Sequence, residues 1–475
     1  SLRSFDLLCL SDRAMPPELG FDTIGNATLI AYDGGPVLAT DPWLDGPAYF
    51  GSWWLSHEVP AEQRAQIEQA QYIVVSHGHP DHLSYPSLER LRDKKILVPD
   101  HHGGRIADQL RADGFEVQVL PDRRWVELSD RVRILAIGDP NQDGVLLVDI
   151  DGVLVVDAND ASDRGWGSLV RKIVRQHPRS FLLALSGYGD ADMINYFDAD
   201  GERILPAAAA KRPPGAAIQR RVEWFGVRWF VPFASMHRYR RTDSVWADSY
   251  TTPAHAHADG FASTRAEILP AFVRYDCVRD IATPIAPPPS PSTLHDPEEF
   301  GDSWDEPLQP DDVDAIARYF GAIHTLRRRV DQLTFRVGGV DHSFTTGSGS
   351  NRSVRFETPR ASLRKAVDWE IFDDLLIGNY MRTTLLGDWH GRDLSAHFTP
   401  YVAKYADNGR AKTPAGLRAY RAAYFTRAPL DMLRFDTAAR SQALLTAQAR
   451  AMRSIVREGS VAHRMGQRAY GFLRR

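Results

Sequence analysis

Cysteine is scarce in this sequence, because Cys9 and Cys277 are the only two among 475 residues. Two cysteines at that separation exclude a disulfide framework. No stretch approaches the ~18 consecutive apolar residues that a membrane-spanning helix needs. The amino-terminal residues also lack the basic, apolar and cleavage regions of a signal peptide. We therefore expect a cytoplasmic protein with no transmembrane segment.

An excess of charge of either sign is missing as well. The 57 Lys and Arg residues face 61 Asp and Glu residues, which gives a formal net charge of −4 and no overall attraction to nucleic acid. The composition is 43% hydrophobic and 25% charged, which is ordinary for a globular protein. A chain of this length can form two domains with sizeable cores. We expect no nucleic-acid partner.

Metal-binding residue types are concentrated in one stretch, His77-Gly78-His79-Pro80-Asp81-His82. It follows the apolar run Tyr72-Ile73-Val74-Val75, which predicts a strand, and precedes residues 83–91, which predict a helix. Three imidazoles and a carboxylate suit zinc, iron or manganese. Because the loop is short, its first two histidines can face one ion while its last two donors face a neighbouring ion. The alternative is a solvated histidine-rich turn.

Short apolar runs and turn residues predict a sheet-rich first half. Residues 24–40 alternate around Asp33-Gly34-Gly35-Pro36, which predicts an opening hairpin, and Asp151-Gly152 predicts another. The strand before the metal loop, the helix after it and the run at residues 95–98 form a β-α-β pattern. Further predicted strands, beginning a second sheet, are residues 124–128, 132–137, 145–150, 153–156, 181–185 and 228–231. Further predicted helices are residues 61–70, 165–176 and 213–225.

A proline-rich segment divides the chain. Residues 281–310 include Pro287-Pro288-Pro289 among small and acidic residues, which is typical of a linker. This pattern predicts a catalytic domain over 1–280 and an α+β accessory domain over 311–475. We expect the accessory domain to form a homodimer contact or a lid over the substrate. Its predicted elements are helices at 311–328, 359–368 and 369–386 and a hairpin of 333–337 with 342–346.

The last forty residues contain eight arginines. Leu444, Leu445, Met452 and Ile455 recur there at roughly helical spacing, which predicts a basic amphipathic helix. Such a helix either contacts an anionic lipid or partner, or packs with one face on its own domain.

The motif at residues 77–82 resembles the HxHxDH signature of the metallo-β-lactamase superfamily. The chain is also similar to the CMP-N-acetylneuraminate hydroxylase family in segments that keep the same order along the sequence. Those segments are residues 39–58, 76–88, 231–234, 302–304 and 373–378. The resemblance implies an α/β fold, the four-layer αββα metallo-β-lactamase sandwich, with metal at one edge of the sheets and a smaller C-terminal α+β domain.

The resemblance also implies the rest of the metal site. Asp157, at the end of a predicted strand, matches the carboxylate that bridges two metals, and His237 matches the final ligand histidine. One expected histidine is missing, because the sequence there is Gly138-Asp139-Pro140-Asn141-Gln142-Asp143. Asp139 or Asn141 fills its place, or one ion is weakly held and the enzyme has a single metal. The resulting metal ligands are His77, His79, Asp81, His82, Asp139, Asp157 and His237, with Asp81 and His237 also in catalytic roles.

Basic residues next to the final ligand histidine are candidates for substrate binding. Guanidinium groups there suit a phosphate or carboxylate on the substrate, while ion pairs with Asp243 and Asp248 are the alternative. An aromatic residue in the glycine-rich segment 186–190 is expected to line the pocket from the opposite side. The candidate substrate-binding residues are Arg238, Arg240, Arg241 and Tyr188.

Two further histidine pairs are near the expected site in sequence. His101 and His102 follow the strand at 95–98, and a ligand role there competes with a surface or capping role. His255 and His257 share one side of the chain if their segment is extended, so they are candidates for a loop over the site.

Two kinds of reaction fit such a site. Metal-activated water can attack an ester, amide or phosphoester in a zinc- or manganese-dependent hydrolase. The resemblance implies instead an O2-using hydroxylase with one or two iron ions. Those hydroxylases carry a Rieske cluster, whereas neither cysteine here is followed two residues later by histidine, so electrons are expected from a separate protein. A binding protein on a decayed enzyme fold is the third alternative.

Of these, we favour an iron-dependent monooxygenase. Its expected substrate is a small anionic molecule, linked to a nucleotide or a sugar.

Overall fold

The computed structural model describes residues 17–389 and 392–437. Within them, two large β-sheets pack face to face and a third sheet is formed mainly by the second half of the chain. The strands are, in chain order, β1 (Leu19–Ile24), β2 (Thr28–Asp33), β3 (Pro36–Thr40), β4 (Trp53–Leu55), β5 (Tyr72–Val74), β6 (Lys95–Pro99), β7 (Val117–Leu120), β8 (Trp125–Glu127), β9 (Val132–Gly138), β10 (Gly144–Ile150), β11 (Val153–Asn159), β12 (Arg179–Ala184), β13 (Tyr196–Phe197), β14 (Trp229–Pro232), β15 (His237–Tyr239), β16 (Glu267–Ile268), β17 (Val273–Asp276), β18 (Ile281–Pro284), β19 (Gln332–Val337), β20 (Val340–Thr345), β21 (Arg352–Glu357) and β22 (Arg382–Gly387).

Helices lie mainly in the connections between these strands. The α-helices are α1 (Ala61–Gln69), α2 (Tyr85–Arg90), α3 (Arg105–Ala112), α4 (Gly167–Val174), α5 (Gly215–Phe225), α6 (Pro310–Ala322), α7 (Arg360–Asp368), α8 (Phe372–Ile377) and α9 (Pro414–Arg427). A π-helix spans Pro400–Asn408. Short 3₁₀ helices span Ala207–Ala210, Val245–Tyr250, Ala254–Ala258, Pro297–Phe300 and Leu326–Arg328.

The two large sheets enclose the main core. The first has the order β18-β17-β1-β2-β3-β5-β6-β7, and the second has the order β16-β14-β12-β11-β10-β9-β8. Phe181 of the second sheet packs between Phe21 and Tyr275 of the first, at ring-centroid distances of 5.0 and 4.6 Å. Every residue of β10 and β11 is buried, which explains why these strands are continuous apolar runs in the sequence.

Helices cover both outer faces of this pair of sheets. On the first sheet, Ile67 of α1 and Leu110 of α3 join one buried cluster with strand residues such as Ile73. On the second sheet, Val170 of α4 and Val222 of α5 join another. The layers are therefore helix, sheet, sheet, helix, and the expected αββα sandwich is confirmed.

The turn chemistry of the sequence is confirmed at two hairpins. Asp151 and Gly152 both have positive φ, 48° and 83°, and they connect β10 to β11, whose pairing starts at Ile150 and Val153. This is the backbone that a tight two-residue hairpin requires. The opening hairpin is formed by β2 and β3. The β-α-β pattern around the metal loop is present as β5, α2 and β6, with the two strands parallel.

The C-terminal region has its own sheet and core. The sheet order is β13-β22-β21-β19-β20, and α6, α7 and α8 contribute to a core rich in phenylalanine. The edge strand β13 comes from the first half of the chain and pairs with β22, while β18, at the start of the expected linker, pairs with β17 in the first sheet. The division of the chain at 281–310 stays a prediction.

One predicted helix in this region is wrong. Residues 369–386 do not form a single helix: α8 covers only Phe372–Ile377, and Arg382–Gly387 form β22, antiparallel to β21. Asn379 has a φ of 65°, which is incompatible with helix continuation, and the β-branched Thr383 and Thr384 that follow favour a strand. Similarly, the helix expected over 311–328 ends at Ala322.

No helix among the described residues is long and apolar enough to cross a membrane. The basic helix predicted for the last forty residues lies almost entirely outside the described part of the chain, which ends at residue 437.

Candidate metal centre

The candidate metal centre lies where several strands of the two large sheets end. The loop of residues 77–82 follows β5, and the carboxylate-bearing end of β11 faces it from the second sheet. His237 begins β15, which pairs with β4. Because each donor lies in or next to a strand, the backbone fixes their mutual positions.

The first donor set consists of His77, His79 and Asp160. One ligand atom from each lies within 4.8 Å of the others. The Nε2 atom of His77 is 3.0 Å from Nδ1 of His79 and 3.6 Å from Oδ2 of Asp160. Two imidazoles and one carboxylate therefore converge on a space that one ion would fill.

The second donor set lies beside the first and shares Asp160 with it. The Nε2 atom of His82 is 3.3 Å from Oδ2 of Asp81 and 3.4 Å from Oδ2 of Asp160. The same Asp160 oxygen thus faces both His77 and His82. A carboxylate between two groups of donors can bridge two cations and reduce their mutual repulsion.

His237 lies on the deeper side of the centre. Its ring stacks on Trp53 at 3.5 Å between centroids and 2° between planes. Its Nδ1 atom is 3.5 Å from Oδ1 of Asp190, and its Nε2 atom is 3.2 Å from the carbonyl oxygen of Gly189. Burial lowers the pKa of His237 to about 4, against the opposing charge of Asp81, so the ring is a neutral donor.

Surrounding residues orient these donors. Asp41 accepts from Ser76 Oγ at 2.6 Å and from Asn159 Nδ2 at 2.6 Å, and it contacts Nδ1 of His82 at 2.9 Å. The carboxylate of Asp81 accepts from Tyr49 OH at 2.6 Å and from Asn26 Nδ2 at 2.9 Å. Outer partners of this kind fix the tautomer and direction of metal ligands.

Several buried polar atoms around the centre make no normal hydrogen bond within the described residues, and Asp157 Oδ1 is one of them. Burial of the Asp157 carboxyl group, and then the charge of Asp41, raises its pKa well above the usual value. Buried polar atoms without partners are rare in proteins, and a cation would satisfy them. The unpaired atoms are Asp157 Oδ1, Asp160 Oδ1, Asp190 Oδ2, His82 Nε2 and His237 Nδ1. The donor set therefore fits one or two divalent metal ions.

The two histidines of the first set differ in electrostatic surroundings. Burial, and then the neighbouring rings of His82 and His79, lowers the pKa of His77 well below its usual value. Burial also lowers the pKa of His79, but the hydrogen bond and charge of Asp373 outweigh it and raise that pKa to about 9. A cation bound between the two rings would compete with this protonation.

The turn that lacks the expected histidine carries carboxylates instead. Asp139 Oδ1 accepts the backbone N–H groups of Asn141 at 2.6 Å and Asp143 at 3.1 Å, so this oxygen holds the turn together. Asn141 and Asp143 line a cavity of about 100 Å³ together with His77 and His79. The structure thus brings Asn141 and Asp143 to the open face of the centre, whereas Asp139 does not line it.

Sequence reasoning missed Asp160 as a candidate ligand. Asp157 is buried near the end of β11 and is absent from the group of converging donors, whereas Asp160, three residues later, belongs to it. The register shifts between Asp157 and Asn159, and Asn159 has a φ of 49°. This local irregularity turns Asp160 toward the histidines, and the Ala158-Asn159-Asp160 segment was the only signal of it.

The three arginines expected to bind substrate are engaged with the protein itself. Arg238 and Arg240 contact Asp248 at 3.8 and 3.2 Å. Arg241 is fully buried, pairs with Asp243 at 2.9 Å and Asp302 at 2.7 Å, and lies 3.9 Å above the ring of Tyr380. The alternative of ion pairs is therefore present, and a substrate role for these arginines stays a prediction.

Tyr188 packs in an aromatic cluster with Trp53 and Tyr239. Its backbone N–H donates to Thr252 Oγ1 at 2.8 Å. Tyr188 lines none of the described cavities around the metal donors. Its substrate role also stays a prediction.

The further histidine pairs are separated by the fold. His101 is buried and its Nε2 atom contacts the carbonyl oxygen of Ser76 at 3.0 Å, directly behind the metal loop, whereas His102 packs against Tyr420. The segment of His255 and His257 is a 3₁₀ helix, not an extended strand, so His257 points inward and His255 is exposed.

The C-terminal region supplies one wall of the centre. Asp373 Oδ2, on α8, lies 3.4 Å from Nε2 of His79. Thr399, Lys404 and Asn408, on and beside the π-helix, line the cavity over His77 and His79. A larger cavity of about 550 Å³ lies on the other side of the metal loop, between Pro80 and α7. Sequence reasoning noted residues 373–378 only as a point of similarity and assigned them no role.

Comparison with known proteins agrees with this architecture. Residues 38–157 match the family model described as a beta-lactamase superfamily domain. This segment runs from β3 through the metal loop to Asp157 and so contains the first histidines of the centre. This part of the chain is thus similar to the beta-lactamase superfamily domain.

The curated relatives that the chain matches in sequence include two hydroxylases of the same name. A cytidine monophosphate-N-acetylneuraminic acid hydroxylase from Asterias rubens is 32% identical over 167 residues, which are 33% of this chain and 26% of that protein. The hydroxylase of the same name from Sus scrofa is 30% identical over 149 residues, 30% of this chain and 34% of that protein. The matched part thus spans a quarter to a third of these relatives.

Solved structures with a similar arrangement include both hydrolases and a hydroxylase. Igni18, a metallo hydrolase from Ignicoccus hospitalis, has a TM-score of 0.35 at 13% identity and covers 54% of this chain and 98% of that chain. CmlA, a diiron beta-hydroxylase from Streptomyces venezuelae, has a TM-score of 0.33 at 15% identity and covers 51% of this chain and 49% of that chain.

Proposed function

We propose that this protein is an iron-dependent hydroxylase that uses O2 to oxidise a small anionic substrate. The observation that carries the proposal is the first donor set, in which His77, His79 and Asp160 converge beside a cavity. Two histidines and one carboxylate with open positions are typical of non-haem iron oxygenases. The similarity to hydroxylases that act on a sugar nucleotide supports the same class of reaction and suggests a related class of substrate.

The chain's own residues would hold one or two ions and keep the reacting face open. When bound, iron supplies the one-electron and O2 chemistry that amino-acid side chains lack. Asp160 links the two donor sets, while Asp41 and Tyr49 hold His82 and Asp81 in fixed orientations. The cavity of about 100 Å³ over His77 and His79 gives the reacting part of a substrate access to the donors. Because the two cysteines cannot form an iron–sulfur cluster, we propose a separate redox protein as the electron donor.

A zinc- or manganese-dependent hydrolase is the second candidate. The observation in its favour is that Asp81 and His82 lie beside the first donor set, where the Oδ2 atom of Asp160 faces both His77 and His82. Two adjacent ions can activate a water molecule and stabilise the charge that develops on an ester or phosphoester.

Metal analysis of the purified protein tests the proposal. We expect iron to be bound, with an optical spectrum that changes on reduction and again on exposure to O2. His79→Ala should bind less iron per chain than the unmodified protein, whereas the exposed His255→Ala should keep the full amount. Colourless protein with zinc or manganese that cleaves phosphodiester or ester reporters would instead support the hydrolase, and absence of any stoichiometric metal would overturn both.

A further inference from the structure

A cavity of about 530 Å³ lies between α9 and the turn at residues 139–143, on the outer side of the metal centre. Its lining combines cations with aromatic rings, and Asp436 is the one carboxylate among its described residues. The cationic and aromatic lining residues are Arg164, Lys404, Arg421, Tyr405, Tyr420, Tyr424, Phe425 and Phe435. We call this space the basic cavity.

The three cations of the basic cavity have no ion-pair partner within the described part of the chain. Arg164 donates to the neutral oxygens of Asn141 and Ser162, each at 3.0 Å. Lys404 and Arg421 lie near the ring of Tyr405, at 5.2 and 5.9 Å from its centroid. Other cations of this region are paired, such as Arg427 with Asp100 at 3.1 Å. Asp139 and Asp143 act on Lys404 without forming an ion pair with it, and a cluster of cations of this kind attracts anions.

The basic cavity is connected to the metal centre. Lys404 lines both this cavity and the smaller cavity over His77 and His79. Arg164 holds Asn141, which lines the smaller cavity. Lys404 also lies in the π-helix Pro400–Asn408, and π-helical backbone is rare and frequent at functional sites. A molecule anchored by these cations can extend past Lys404 to the metal ligands.

The α9 helix fixes this arrangement through its tyrosines. Gln142 Nε2 donates to Tyr420 OH at 3.1 Å and to Tyr424 OH at 3.0 Å. Tyr420 OH donates to the carbonyl oxygen of Pro140 at 2.9 Å. The helix therefore presents Arg421 to the cavity while it holds the turn beside the metal donors. Burial, and then the charge of Arg164, lowers the pKa of Lys404 to about 8, against the opposing charges of Asp139 and Asp143.

We infer that the basic cavity binds the phosphate or carboxylate group of an organic anion and so anchors the substrate of the metal centre. Arginine and lysine together bind such oxyanions through charge-assisted hydrogen bonds, and the surrounding rings contact the attached organic group. Only the statement that the bound anion is the substrate rests on the proposed function. Anion binding itself is measurable without turnover. It also assigns the anion to residues other than Arg238, Arg240 and Arg241.

Calorimetric titration with phenyl phosphate, benzoate and neutral benzyl alcohol tests the inference. The titrations use the full chain, once as purified and once after removal of metal by a chelator. We expect phenyl phosphate, benzoate or both to bind in both forms, benzyl alcohol not to bind, and the affinity to fall as salt is raised. Comparison of the first two ligands distinguishes a phosphate site from a carboxylate site.

Matched variants localise the binding. Arg421→Gln should weaken anion binding by about tenfold or more, and Lys404→Gln should act in the same direction. Arg418→Gln, one turn away on α9 and exposed, removes the same charge and should leave binding unchanged. Equal affinity of the Arg418 and Arg421 variants would overturn the inference, as would binding that disappears when metal is removed. If the protein holds a normal amount of metal but binds no anion, this inference is refuted and the proposed function is not. If the protein binds the anion but never holds metal, the proposed function is refuted and anion binding at this cavity is not.

Discussion

The two ends of the candidate metal centre differ in how firmly the protein holds them. At one end the side chains of His79 and Asp160 are 21% and 25% exposed, while that of His77 is 3% exposed. At the other end the side chains of Asp81 and His82 are 3% and 0% exposed, and His237 is stacked between protein groups. We call these the open end and the buried end. An ion at the buried end would be held more firmly by the protein, whereas the open end would leave room for a substrate.

The outer partners reinforce this contrast. The buried end is fixed by Asp41, Tyr49, Asn26 and Trp53, all from the first half of the sandwich. The open end is bounded instead by the C-terminal region and by the turn that carries Asp143. A metal site needs rigidly supported ligands to bind metal tightly. The buried end has such support, while the open end, bounded by a different region, can still admit a substrate.

The largest effect is expected from Asp160→Ala, because this carboxylate belongs to both ends. We expect loss of essentially all bound metal and a fall in activity beyond the ~100-fold that is typical of outer partners. Elemental analysis and an activity assay measure both. Asp157→Ala is the informative comparison: if it empties the centre while Asp160→Ala retains metal, Asp157 is the bridging carboxylate and the assignment of Asp160 is wrong.

His79→Ala should separate the two ends. It removes a donor of the open end only, so we expect one ion per chain to remain at the buried end. The ratio of metal to protein in His79→Ala and in the exposed control His255→Ala gives the answer. Complete loss of metal would mean that the two ends do not bind independently.

Asp41→Asn tests the support of the buried end. It keeps the shape but removes the charge that faces His82, so we expect metal affinity to fall by about 10- to 100-fold. Competition with a chromophoric chelator measures the affinity. Unchanged affinity would show that the orientation of His82 does not depend on this carboxylate.

Asp373→Asn should have the smallest effect. Asp373 contacts the open end through His79 at 3.4 Å, and we expect metal affinity to fall by less than about tenfold because three closer donors remain. The same competition assay compares it with Asp41→Asn. An effect larger than that of Asp41→Asn would reverse the proposed order of the two ends.

Much of the sandwich could be predicted because its signals are local. The tight turn at Asp151-Gly152 and the apolar runs of β9, β10 and β11 depend on neighbouring residues, and they appear as expected. The pairing of β1 with β17 joins Phe21 to Tyr275 across the chain, and no local pattern specifies such a contact. The strand β22 was missed for a related reason, because its β-structure depends on a partner strand.

The candidate site likewise contains some residues that a local sequence pattern indicates and others that it does not. The donors at His77 and His79 are close in sequence, and their short spacing alone indicated a metal. Asp160 required knowledge of a backbone irregularity at Asn159, and Asp373 required the packing of α8 against the metal loop. Residues that reach a site through tertiary packing leave no periodic or motif signal in a single sequence.

The small strand β13 has a practical consequence for work on fragments. Tyr196–Phe197 pair with Thr383 and Thr384 of β22, and the N–H of Thr383 donates to the carbonyl oxygen of Asn195 at 2.9 Å. Truncation at residue 310 would therefore leave an unpaired strand edge on each piece. Exposed edges of this kind promote aggregation. Limited proteolysis between residues 285 and 296 should instead leave two nicked pieces that co-elute until a denaturant separates them.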